Sequence, residues 1–87
     1  MSLLLLANPT SGGGKGAKVK AEVIARLSTL KRTFTDISGS SYESALINLR
    51  QAVSQDREGI VIVIGGDGMV HLAIQELANS AFSLLLI

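Results

Sequence analysis

Apolar and polar positions along this chain follow two periods. Residues 3–7 (LLLLA) and 60–64 (IVIVI) are unbroken apolar runs, the pattern of a strand covered on both faces, and both are predicted as central strands of a parallel sheet. Between them, Val19, Val23, Leu27 and Leu30 recur at helical spacing and line one stripe of a helix predicted over residues 17–31. Residues 32–37 (RTFTDI) alternate and are rich in Thr, Phe and Ile, which predicts a second strand. Ser40 followed three residues later by Glu43 is a capping box that starts a second helix, with Ala45, Leu46, Leu49, Ala52 and Val53 on its buried face. A third helical stripe, Val70, Ile74, Leu77 and Ala78, follows the IVIVI run, and residues 82–87 (FSLLLI) predict a fourth strand. The order β-α-β-α-β-α-β implies a three-layer α/β fold around a mostly parallel sheet with right-handed crossovers.

Composition narrows the function. Eighty-seven residues make one domain, and a chain of that size buries a little over ~60% of its unfolded surface. Hydrophobic residues at 47% exclude a disordered chain, and no apolar run approaches the ~18 residues of a membrane span. Met1-Ser2 leads straight into the first strand with no basic segment before it, so no secretory signal is read and a cytoplasmic location is expected. The absence of cysteine excludes disulfides and thiolate metal sites, and a single histidine, His71, forms no histidine cluster. A net charge of +1 and 3% aromatics point away from nucleic acid.

The candidate chemistry lies in two glycine-rich turns, NPTSGGGKG at residues 8–16 and GGDG at 65–68. In an alternating α/β chain both leave the carboxyl edge of the sheet and face one crevice. Glycines let backbone N–H groups approach a ligand, and each following helix adds its positive N-terminal end, so the pair predicts a phosphate cradle. Lys15, inside the first turn, reads as a phosphate-facing charge, while Lys18 and Lys20 read as solvated surface lysines. The Walker A pattern fails, because Pro9 and Gly16 stand where it needs glycine and Ser or Thr. The dinucleotide pattern is met by Gly12, Gly14 and Ala17, with Asp36 near the distance of a ribose-binding acid, but four residues separate the strand from the first glycine. A kinase glycine loop belongs to a hairpin and does not suit a strand-to-helix turn. Asp67 in GGDG could accept a proton from a hydroxyl nucleophile or meet a magnesium ion on phosphates; equally, it could cap the third helix.

Taken together, NPxSGGGKG after an opening strand, a second strand carrying Thr35, and GGDG after a buried strand resemble the N-terminal part of the diacylglycerol kinase catalytic domain family. That family includes sphingosine, ceramide and bacterial lipid kinases and is distantly related to NAD kinases. The resemblance implies a Rossmann-like nucleotide-binding domain of the NAD kinase/diacylglycerol kinase-like fold over residues 1–87, cut before a β-rich second domain. It implies an ATP-dependent lipid kinase using Mg2+, with a lipid such as diacylglycerol as acceptor at the inner membrane face. The family's phosphate-wrapping motif falls on Asn8, Pro9, Ser11, Gly12, Gly13, Gly14 and Lys15; its nucleotide-flanking threonine falls on Thr35. Its GGDG falls on Gly65, Gly66, Asp67 and Gly68, with Asp67 as the catalytic candidate. Many members continue GGDGT-x-N, whereas this chain has Met69 and His71, so a threonine hydroxyl and an asparagine amide are missing.

Rival expectations are an NAD kinase, against which the NPxSGGGK opening argues, a non-catalytic nucleotide-binding or interaction module, and a folding fragment. The chain stops inside LLLI with no polar turn, so the fourth strand is expected to be an open edge that invites self-association.

Overall fold

The computed structural model describes residues 2–7, 15–65 and 67–87, and only the backbone of Lys15 and Asp67. The elements are β1 (Ser2–Ala7), α1 (Lys15–Thr29), β2 (Thr35–Asp36), α2 (Tyr42–Gln55), β3 (Glu58–Ile64), α3 (Asp67–Leu77) and β4 (Ala81–Leu86). The four strands form one sheet in the order β2-β1-β3-β4, and every pair is parallel.

Both unbroken apolar runs lie at the centre of this sheet, and alternate side chains feed two separate cores. On one face Leu5, Ala7, Ile62 and Ile64 pack with Leu27 of α1, flanked by Val19, Val23 and Ile24. On the other, Leu4, Leu6, Val61 and Val63 pack under α2 and α3 against Ala45, Leu49, Met69, Ala73 and Leu77. Burial on both faces is what an uninterrupted aliphatic strand requires.

Several boundaries differ from the sequence expectation. The second strand spans two residues, not six. Arg32 is still tied into the end of α1, its N–H donating to the Leu27 carbonyl at 2.9 Å while Lys31 takes φ 55°, and the chain turns again at Ser38, bonded back to Asp36. That helix end also turns Leu30 outward, 61% exposed, so it leaves the predicted stripe. The cap of α2 is Ser41 rather than Ser40, and its reciprocal partner is Ser44 rather than Glu43. Ser44 Oγ accepts from the N–H groups of both Ser40 and Ser41 at 3.0 Å, a reach that suits a short hydroxyl side chain. On α3 the buried face is Met69, Ala73 and Leu77; Ile74 is 53% exposed. Starting the helix at Asp67 places Met69 in the first turn, packed with the side chains of β1 and β3, and Ala73 and Leu77 follow at i+4 and i+8.

Candidate functional site at the carboxyl edge of the sheet

The chain leaves β1 toward β2 on one side, and β3 and β4 lie on the other. The order therefore reverses between β1 and β3, where open parallel sheets bind ligands beyond the strand ends. Ala7 and Ile64 are register partners at this point, so the two strands end level. The segments that follow them, each expected to hold phosphate, start side by side. Gly65 has φ 140°, a conformation L side chains rarely adopt, and this lets the backbone turn directly from β3 toward α3.

All three helices begin at this edge. The first residue of α1 is Lys15 and that of α3 is Asp67, on opposite faces of the sheet. No acidic residue occupies the first turn of α1, so nothing in that turn offsets its positive end. A third helix end closes the edge: Tyr42, first residue of α2, reaches across to α3, where a Cβ on Gly68 would stand 3.0 Å from the Tyr42 hydroxyl.

Beside Ala7 lies a polar network with Asp36 at its centre. The Ala7 N–H donates to Ser38 Oγ at 2.9 Å, and Ser38 donates from Oγ at 2.7 Å and from its N–H at 3.0 Å to Asp36 Oδ1. Asp36 Oδ2 lies 2.7 Å from Lys20 Nζ of α1. Burial pushes the Asp36 carboxyl up, but hydrogen bonds from Lys20 and Ser38, with the Lys20 charge, outweigh it and hold the group below its ordinary value. From α2, Asn48 Nδ2 donates to the Ile37 carbonyl at 3.3 Å.

The structure treats the sequence candidates unequally. Asn8, Pro9, Ser11, Gly12, Gly13, Gly14 and Gly66 lie outside the described residues, and Lys15 and Asp67 are placed by their backbones at two helix starts. Gly65 and Gly68 border the edge. Thr35 pairs with Leu4, three residues short of the end of β1, and is exposed on the outer strand. The residue of that segment that reaches Ala7 is Ser38. Asp36, considered as a ribose-binding acid, has both carboxylate oxygens engaged by Ser38 and Lys20. Lys20 is thus a partner in a half-exposed ion pair, which the reading of it as a surface lysine did not foresee. Met69, in the place of the family threonine, is fully buried in the core, and His71 is exposed, with its Nε2 3.2 Å from Gln75 Nε2 one turn on. Sequence reading passed over Ser38 and Tyr42. The triplet Asp36-Ile37-Ser38 directly after a strand was a legible signal, since Asp readily accepts from the N–H two residues on.

Comparison with known families fits this arrangement. The diacylglycerol kinase catalytic domain model matches residues 2–86. The chain belongs to the diacylglycerol kinase catalytic domain family. No curated protein and no solved structure matches it significantly. Membership in this family places the chain among lipid-kinase-type phosphotransferases. No described helix is long and apolar enough to cross a membrane.

Proposed function

We propose that this chain is the nucleotide-binding portion of an ATP-dependent lipid kinase, of diacylglycerol kinase-like fold related to NAD kinases, that transfers the γ-phosphoryl group of ATP to a lipid hydroxyl. The observation that carries the reading is that β1 and β3, the strands that lead into the two glycine-rich segments of the sequence, end level, with helix N-termini on both faces of the sheet. Such an edge offers unpaired N–H donors and positive helix ends to a chain of phosphates.

The donor set fits a triphosphate. The N-terminal ends of α1 and α3, with Lys15 and the glycines of residues 12–14 and 65–68, would hold phosphate oxygens. In this reading Asp67 would help hold Mg2+ together with the phosphates. When bound, the ion neutralises charge on the transferring group, and the chain supplies positioning, which is most of what phosphoryl transfer needs. Asp67, opening α3, would accept the proton of the acceptor hydroxyl or orient the ion. The acceptor is a lipid such as diacylglycerol, met at a membrane surface. Self-association through β4 is a further part of this reading, supported by the exposure of Leu85, Leu86 and Ile87 on an edge strand. A strictly monomeric chain in sedimentation velocity would remove it.

Backbone NMR of the 87-residue chain titrated with Mg·ATP tests the binding site. Amide shifts are expected at residues 12–19 and 65–69, and much smaller ones with adenosine. Equal responses to ATP and adenosine, or none at millimolar ATP, would refute the reading. Where a longer protein containing this segment phosphorylates diacylglycerol, Asp67→Asn should lower kcat by about 10²-fold or more. Phosphorylation of NAD in its place would shift the assignment to the NAD kinase branch.

A further inference from the structure

The polar network beside Ala7 has a direction to it. Its carboxylate belongs to β2; one oxygen holds Ser38, whose hydroxyl accepts from Ala7 of β1, and the other meets Lys20 of α1. Those two elements are joined by residues 8–14, and their facing ends define one side of the edge described above.

We propose that Asp36 is a positioning residue: by holding Ser38 against the end of β1 and Lys20 of α1 at the same time, it fixes α1 relative to the sheet and so aims the helix N-terminus at the phosphate site. The proposal rests on the nucleotide reading for its consequence, although not for the brace itself.

The geometry supports a brace over a ligand-binding role. Ser38 is 5% exposed and spends its hydroxyl on both sides, accepting from Ala7 and donating to Asp36. Ala7 is 4% exposed, so without Ser38 Oγ its N–H would lose this partner in a buried position. Lys20 is a polar link from α1 to β2. Among the described residues, the other hydrogen bonds of α1 run within it or to its own C-terminal turn, and its packing on the sheet is apolar and non-directional. Apolar packing permits a helix to slide or rotate slightly, whereas an ion pair at 2.7 Å to a carboxylate that is itself held by two hydrogen bonds sets one position. A small displacement of a helix end is enough to weaken phosphate contacts, because they depend on aligned N–H groups.

The test compares the unsubstituted chain with Asp36→Asn, Ser38→Ala, Lys20→Met and Lys20→Arg. For each, affinity for Mg·ATP, Mg·2′-deoxyATP and adenosine is measured by NMR titration, and hydrogen exchange is followed at the Ala7 amide. Asp36→Asn and Lys20→Met are expected to weaken ATP binding about tenfold, with adenosine affinity within about twofold, since the loss is confined to the phosphates. ATP and 2′-deoxyATP should weaken in parallel; if only ATP weakens, Asp36 is a ribose ligand and the proposal is wrong. Ser38→Ala and Asp36→Asn should speed exchange at Ala7, and Lys20→Arg should restore the ATP affinity lost in Lys20→Met. Unchanged ATP-to-adenosine discrimination in both Asp36→Asn and Lys20→Met would overturn the proposal. If the unsubstituted chain binds no nucleotide, the nucleotide reading fails. Ala7 exchange and the amide shifts of residues 15–19 then decide the brace alone: altered by Asp36→Asn, it stands; unaltered, it falls.

Discussion

At the scale of single residues, Asp36 is where sequence reasoning and geometry part most clearly. Spacing from the glycines made it a candidate ribose acid and made Lys20 a solvated lysine, yet the two meet at 2.7 Å. Spacing reports how far apart residues lie along the chain and is silent on which side chains complete each other across elements. A pH dependence follows. Because its folded pKa lies below the ordinary 3.8, Asp36 stabilises the fold fully above that value, and the contribution fades as pH falls through the lower folded value. Asp56, held low by hydrogen bonds from the Ser2 hydroxyl and the Arg57 N–H, titrates in the same direction near the opposite end of β1. In urea unfolding between about pH 5 and pH 2, the unsubstituted chain should lose stability more steeply than Asp36→Asn, with the Asp56 contribution common to both. Parallel pH profiles would show that the Lys20 contact adds nothing to acid sensitivity.

Among the elements, periodicity found every helix and strand, while boundaries depended on side chains that periodicity does not weigh. The start of α2 is the clearest case, since the capping box expected from Ser40 and Glu43 forms instead from Ser41 and Ser44. Ser44 settles it by accepting from two backbone N–H groups and donating to the Ser41 carbonyl at 3.1 Å. Ser41→Ala should therefore cost about 0.5–2 kcal/mol, and Ser40→Ala or Glu43→Ala less than about 0.5 kcal/mol, by chemical denaturation. A larger loss at Ser40 would move the cap back one residue. Similarly, α3 forms where a helix was expected but turns a different face inward: Met69 and Ala73 are fully buried where Val70 and Ile74 were expected. Both stripes have helical spacing in the sequence, and the direction in which the chain leaves Gly65 selects between them.

Across the whole molecule, the three layers were legible because residues 3–7 and 60–64 are apolar on both faces, which only covered central strands tolerate. Strand order was not, since two-sided burial does not say which flank β2 takes. The candidate site was legible as two motifs; the glycine segment itself lies outside the described residues, and its surroundings emerge only from the packing. The sheet divides its labour between its two ends. At the amino edge Gly59 is packed so closely that a Cβ would fall 2.5 Å from the Phe82 ring and against the Ser2 carbonyl. Gly59→Ala should cost about 1–3 kcal/mol or more in stability while leaving the discrimination between ATP and adenosine intact, because Ala7 and Ile64 lie at the other end. Loss of that discrimination in a folded Gly59→Ala chain would mean that the two edges are coupled.

The central pairing also has a consequence in time. Leu3 to Ala7 find their long partner strand only at Ile60 to Ile64, more than half the chain away, and meet β2 through just two register pairs. Contacts this distant must close a long loop before they return any stabilisation, which slows folding relative to a helical chain of equal size. During synthesis the leucines of β1 emerge well before the strand that pairs with them, so this apolar segment waits unpaired while the rest of the sheet is made.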